Sequence, residues 1–165
     1  MDSGRGFSLL EFIIVIVVLG IIAATGAQLM GNGFSAYFTG KNITEMDWQA
    51  RLAVERMTRE LRSVRAPVDL TVTPANEITF IDADGNSIRY CMGTVGTCPG
   101  AAGELTRNTQ PLATGISNLA FIYLDRTSVA TTTPALVYYI VVSFTATQGG
   151  LSKAYQININ PRNFP

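Results

Sequence analysis

Few residues in this chain have the chemistry of a reaction centre, and their types narrow what the protein can do. There is no histidine. That removes Ser-His-Asp and Cys-His catalysis, and with them histidine-ligated zinc or haem. Cys91 and Cys98 are the two cysteines, too few for a four-thiolate metal site within one chain. They flank a short loop containing glycine and proline. In an oxidising compartment they are expected to pair as a disulfide, and free thiols are the alternative. Closing so short a loop stabilises by roughly 2–3 kcal/mol in the chain-entropy model. A catalytic pair is not expected, because the spacing is not C-x-x-C and no basic neighbour stands beside either thiol. Asp82-Ala83-Asp84-Gly85-Asn86 invites a calcium reading through Asp82, Asp84 and Asn86. It fails as an EF-hand, since Ser87 sits where the invariant glycine belongs and Gly93 where the bidentate glutamate belongs. The turn of a hairpin is its default reading. Elsewhere carboxylates are scattered, and no glycine-rich phosphate loop precedes a helix. The expectation is therefore not an enzyme, with no metal, no cofactor and no small-molecule substrate.

One further carboxylate stands in an unusual place. Phe12 to Gly40 contains no charged residue, a stretch longer than the roughly 20 residues that cross a bilayer as a helix. Twelve Leu, Ile, Val or Phe lie between Leu9 and Ile22. At about −0.3 to −0.6 kcal/mol each, they contribute on the order of −5 kcal/mol toward insertion. Glu11 lies inside that run, and even at the bilayer centre it would cost only about 3 kcal/mol. Insertion wins, so the function of the carboxylate needs an explanation. A glutamate at a helix N-terminus is tolerated because the macrodipole favours it. Tolerance does not explain a requirement. Three readings fit the segment: a secretory signal cut after Thr25-Gly26-Ala27, a plain membrane anchor, and a third set by the residues preceding the apolar run.

Those residues are Gly4-Arg5-Gly6-Phe7-Ser8-Leu9-Leu10-Glu11. They resemble the signal of type IV prepilins and pseudopilins: glycine, aromatic, hydroxyl residue, two apolar residues and glutamate, abutting an apolar helix. The resemblance implies cleavage between Gly6 and Phe7 by a dedicated peptidase, then N-methylation of Phe7. It also implies that Glu11, fifth from the cut, takes the place of the family's glutamate. A carboxylate there would neutralise the Phe7 amino group of its own or a neighbouring subunit and fix axial register in a filament.

The helical pattern continues beyond the apolar run. Ile43, Met46, Ala50, Ala53, Val54, Met57, Leu61 and Val64 recur at steps of three and four, which predicts one buried stripe. Arg51, Glu55, Arg56, Arg59, Glu60, Arg62 and Arg65 fall on the opposite face. Arg51–Glu55, Glu55–Arg59 and Arg56–Glu60 are expected i,i+4 pairs. The face reads as solvated and salt-bridged, with DNA contact as the alternative. Pro67 ends the helix. Gly20, Gly26, Gly31, Gly33 and Gly40 punctuate it, and Gly31-Asn32-Gly33 is the expected place for a bend or melted turn. Many major pilins carry a proline near the position of Gln28; this chain has none.

After Pro67 the period changes. Val68–Thr73 reads as a weak strand. Glu77–Ile81 and Ser87–Cys91 flank the Asp82–Asn86 turn as a hairpin. Asn118–Asp125, Leu136–Thr145 and Leu151–Ile159 read as longer strands, with Thr127–Pro134 an exposed loop and Gln148-Gly149-Gly150 a turn. The fold class is α+β: a long N-terminal helix, half apolar and half amphipathic, packed on an antiparallel sheet head. The expected organisation is 1–6 leader, 7–40 hydrophobic helix, 41–66 amphipathic helix and 67–165 β-rich head. Twelve basic and twelve acidic residues give zero net charge, which argues against nucleic acid held by bulk charge.

Two stretches resemble a subgroup. Gln49-Ala50-Arg51-Leu52-Ala53-Val54-Glu55-Arg56-Met57-Thr58-Arg59-Glu60-Leu61-Arg62 is similar to the post-anchor helix of minor pilins of the J/W type, including those of mannose-sensitive haemagglutinin pili. Leu112-Ala113-Thr114-Gly115-Ile116-Ser117-Asn118-Leu119-Ala120-Phe121 is similar to a strand entry of the same group. The J pseudopilin of type II secretion shares these features. The resemblance implies a structural subunit that starts or caps a filament. Its implied partners are other minor pilins, the major pilin, the prepilin peptidase, an inner-membrane assembly platform and membrane lipid. It implies a single-pass inner-membrane protein of a Gram-negative bacterium with a periplasmic head, later placed at a pilus tip or base. Keeping Glu11 implies a place just below the outermost subunit. An anchored periplasmic enzyme is the reading from another class, and the missing histidine argues against it.

Overall fold

The computed structural model describes residues 8–72, 76–93 and 96–164. Its first element begins on a local signal. Ser8 stands immediately before the helix, and its Oγ accepts the Glu11 backbone N–H at 3.2 Å. Serine followed three residues on by glutamate is the sequence of a capping box, which satisfies donors that the first turn leaves open. Helix α1 then runs Leu9–Arg62, 54 residues, and does not melt at Gly31-Asn32-Gly33. A Cβ added at Gly20, Gly26, Gly31, Gly33 or Gly40 would meet nothing within 4 Å, so no packing among the described residues requires their small size.

The chain divides into two compact units, Met1–Lys41 and Asn42–Pro165. In the first, all described residues lie on α1 or its cap and are exposed. In the second, α1 buries Met46, Ala50, Ala53, Met57 and Leu61. Steps of four, three, four and four keep these side chains on one stripe. Ile43 and Val54 correct the expected stripe: Ile43 is exposed and Val54 half-buried. The helix also stops earlier than the proline requires. Val64 leaves it to bridge Asp82, and Arg65 N–H donates to the Ile81 carbonyl. Pro67–Asp69 then forms a short 3₁₀ turn where a strand was expected.

Two antiparallel sheets complete this unit. The first has the order β1 (Leu70–Thr71), β2 (Glu77–Ile81), β3 (Ser87–Met92), β4 (Leu105–Arg107) and β5 (Gln110–Ala113). The second has β6 (Ile116–Leu124), β7 (Tyr139–Gln148) and β8 (Leu151–Ile159). Ile78 and Phe80 of β2 and Ile88 and Tyr90 of β3 are buried alternately with residues that are not, as a half-buried sheet demands. They share one core with the α1 stripe and with Phe121, Ile140, Val142 and Phe144. β7 starts later than expected, because Pro134–Leu136 forms a second 3₁₀ turn. β6 starts earlier, at Ile116, and is bulged between Ser117 and Ala120. The bulge lets Ile116, Leu119 and Phe121 all reach the core although strict alternation would turn one of them out. Gly115 feeds this strand at φ 69°, with its carbonyl accepting the Thr147 N–H at 2.7 Å. A side chain there would strike the Thr147 carbonyl, so this position needs glycine.

Candidate functional site

Gly6 and Phe7, where cleavage and methylation are expected, lie outside the described residues. The helix that begins beyond them is exposed along its apolar half. Large apolar side chains from Leu9 to Ile22 are 44–81% exposed. Mean hydropathy reaches 2.7 in the most apolar window of α1, which makes the helix long and apolar enough to cross a membrane. Exposure on that scale is not a feature of a soluble helix, so the segment needs lipid or other chains around it. Glu11 sits in the first turn, one helical turn beyond the Ser8 cap, where the positive end of the macrodipole favours a carboxylate.

Along the second unit, α1 is clamped to both sheets by polar side chains that the stripe alone did not reveal. Asp47 accepts Lys153 Nζ at 2.6 Å, Tyr155 Oη at 2.7 Å and Arg51 Nε at 2.6 Å. The bonds from Lys153, Tyr155 and Arg51 hold its carboxyl well below the usual range. Gln49 Oε1 accepts the Thr114 N–H at 3.1 Å and its hydroxyl at 3.0 Å. Glu60 accepts Arg107 Nε at 2.8 Å, Tyr90 Oη at 2.6 Å and Arg56 Nε at 3.2 Å. Burial opposes its ionisation, yet these bonds outweigh burial and lower its pKa.

Glu60 therefore does not lie on the solvent face where the sequence places it; its side chain is 13% exposed. It follows Met57 by three residues, about 60° around the helix, close enough to the stripe for a long side chain to reach β3 and β4. Of the expected pairs, Arg56–Glu60 forms, whereas Arg51 turns to Asp47 and Glu55–Arg59 makes no ion pair among the described residues; Arg65 holds Asp69. Arg59 and Arg62 make no ion pair among the described residues.

Cys91 and Cys98 are joined in a disulfide with Cα atoms 5.9 Å apart. Thr106, buried at the centre of β4, donates through Oγ1 to the carbonyl of Cys91 in β3 at 3.2 Å and lies 3.3 Å from Cys98 Sγ. The Asp82 loop is a hairpin turn. Asp82 Oδ1 accepts the Asn86 N–H at 2.8 Å and the Asp84 N–H at 3.0 Å, and Gly85 supplies φ 85°. These bonds lower the Asp82 pKa, the Asn86 N–H first among them. Its carboxylate is spent on its own backbone. Among the described residues no three His, Cys, Asp or Glu side chains are grouped so as to hold a metal ion. The polar clusters at Asp47, Gln49 and Glu60 join the helix to the sheets.

The decisive observation is at the start of the chain. Residues 1–27 match the prokaryotic N-terminal methylation motif. That match supports a type IV pilin-like or pseudopilin protein. No curated protein and no solved structure matches the chain. The α+β architecture agrees with a pilin-like fold, with one long apolar N-terminal helix packed on antiparallel sheets. The motif and the single exposed helix point to a membrane-anchored structural subunit.

Proposed function

We propose that the chain is a minor pilin of the J/W type that helps to start or cap assembly of a type IV pilus. It resembles the O minor pilin of the mannose-sensitive haemagglutinin pilus. The carrying observation is the methylation motif running directly into the exposed apolar half of α1. In this reading residues 1–6 are removed, Phe7 becomes the methylated N-terminus, and 7–40 anchor first in lipid and then among other stems. The part of α1 beyond that anchor joins the β-rich region in a periplasmic head. Gly115-Ile116-Ser117 and the bulge after it support the subgroup, because they form a strand entry with specific backbone demands. The partners are other minor pilins, the major pilin, the prepilin peptidase and the inner-membrane assembly platform. The J-like pseudopilin of type II secretion rests on the same two stretches. Neighbouring genes for a secretin and exoprotein secretion would favour it over the pilus.

The test is intact-mass and N-terminal peptide analysis of the chain made together with its own prepilin peptidase. Loss of residues 1–6 with one methyl group on Phe7 is expected. A start at Gln28 would make the protein an ordinary secreted domain. An uncut chain, in cells that process a known prepilin, would make it a simple anchored protein.

A further inference from the structure

Most cations in the unit Asn42–Pro165 are paired within the chain. Arg51 and Lys153 share Asp47, Arg56 and Arg107 share Glu60, Arg65 holds Asp69 and Arg89 holds Glu77. Arg126 lies over the Tyr138 ring at 5.2 Å. Arg59, Arg62 and Arg162 are left without ion-pair partners among the described residues, and all three line one groove of about 480 Å³.

Their convergence is built by the fold. Arg59 and Arg62 occupy the last turn of α1, where cations are favoured by the helix carbonyls. The dipole does not account for Arg162, which arrives from the far end of the sequence. Its N–H donates to the Arg62 carbonyl at 3.1 Å, and Asn163 Nδ2 donates to the Val64 carbonyl at 3.0 Å. Pro161 is buried and Phe164 packs against the core, so the segment carrying Arg162 is fixed from both sides. Three like charges lining one hollow make it attractive to an anion.

We propose that this groove binds an acidic segment of a partner protein, with a carboxylate seated among Arg59, Arg62 and Arg162. The lining distinguishes such a peptide from a phosphate chain. Glu55 forms part of the same wall and has no ion-pair partner among the described residues. It would repel a polyphosphate, which carries a charge at every step, but it accepts a peptide N–H. Ser63 already donates its hydroxyl to the Glu60 carbonyl at 2.7 Å, which leaves its oxygen as an acceptor. A phosphodiester has no donor for either group. Val54 and the arginine stems add an apolar wall for a side chain.

The test uses the full chain in a nonionic detergent at ~0.15 M salt, where exposed charges are already screened. The probe is a fluorescein-labelled peptide of alternating glutamate and serine, followed by anisotropy. Saturable binding is expected, weakened about tenfold or more by Arg162→Ala and by Arg59→Ala, as for loss of one charge-assisted contact. Arg126→Ala, which removes the same charge outside the groove, should leave it unchanged. Arg162→Glu should lose the acidic peptide and gain affinity for one in which a lysine replaces a glutamate. No saturable binding overturns the proposal, as does equal weakening by Arg126→Ala. Displacement of the peptide by inorganic phosphate or a short oligonucleotide at equal formal concentration also overturns it, in favour of a general phosphate site. Processing at Gly6–Phe7 is read separately by mass, so failure here leaves the subunit reading untouched.

Discussion

Arg107 of β4 donates through Nε to both carboxylate oxygens of Glu60 on α1, at 3.0 and 2.8 Å, across 47 residues of sequence. Tyr90 of β3 completes the same carboxylate at 2.6 Å. These bonds link the helix to the first sheet beside the buried stripe that faces the core. Arg107→Ala should destabilise the protein by about 1–3 kcal/mol, because it leaves a half-buried carboxylate short of its main partner. Glu60→Gln keeps the shape and should cost less. The acid dependence follows from sign. The pKa of Glu60 is lowered in the folded state, so its contribution is full above the unfolded value of about 4.3 and fades as pH falls through the folded value. Urea unfolding at several pH values should show the gap between parent and Glu60→Gln closing below about pH 4. A gap that widens in acid would refute the assignment.

The two buried tyrosines should respond oppositely to loss of a hydroxyl. Burial first, and the Glu60 carboxylate second, push the Tyr90 phenol well above its usual pKa. Tyr90→Phe removes a bond to a charged group and should cost about 1–2 kcal/mol. Tyr123 of β6 is also buried, and burial alone raises its pKa. Its hydroxyl finds no partner among the described residues. Tyr123→Phe should therefore be neutral or stabilising by up to about 1 kcal/mol, since it removes an unsatisfied buried polar atom. Thermal unfolding of both variants side by side decides the matter, and equal losses would contradict the difference in bonding.

Periodic residues made the long helix legible, and so did the turns at Asp82–Asn86 and Gln148–Gly150. Gly149 and Gly150 both adopt positive φ, and Gln148 pairs with Leu151 across them, as a two-residue hairpin requires. β4 and β5 were not legible. Three residues of Leu105–Arg107 are too few to show alternation, and Pro111 in β5 signals against a strand. The strand survives because it lies at the sheet edge, where a missing N–H costs no ladder bond. The polar clamps at Asp47, Gln49 and Glu60 were hidden for another reason. A helical stripe says which residues are apolar, but long polar side chains beside it are directed by partners distant in sequence. The Ser8 cap on the Glu11 N–H, by contrast, is a local bond between residues three apart in sequence.

The disulfide closes a loop of seven-residue separation beside β3 and β4. In the chain-entropy model its removal costs roughly 2–3 kcal/mol. Replacing both Cys91 and Cys98 by alanine should lower the urea midpoint by an amount equivalent to that loss. The denaturant slope should change little, because the core on either side is retained. Reduction of the parent should reproduce the same shift. No shift in either experiment would show that the loop is already restrained, with the bond from the Gly93 N–H to the Glu104 carbonyl at 2.8 Å as one restraint.

Glu11, the carboxylate in the apolar run, has a local role at the helix start, and the proposed function gives it a second. Locally, its N–H takes the Ser8 cap and its charge favours the helix N-terminus, but the cap uses the backbone of residue 11 and the Ser8 side chain. Glu11→Ala therefore keeps the cap bond and loses only the modest dipole contribution, about 0.3–1 kcal/mol. In a filament, the same carboxylate would face the methylated Phe7 amine of a neighbouring stem, where an unpaired charge is costly. The variant should thus be cut and methylated as the parent is, while its recovery in sheared filaments falls several-fold. If the proposed cut follows Gly6, Gly6→Val should block it. Comparing mass spectra of the membrane fraction with immunoblots of sheared filaments separates the two steps. Parent-level incorporation of Glu11→Ala would leave the carboxylate with its helix-terminal role alone. A processed Gly6→Val chain would move the cleavage site elsewhere.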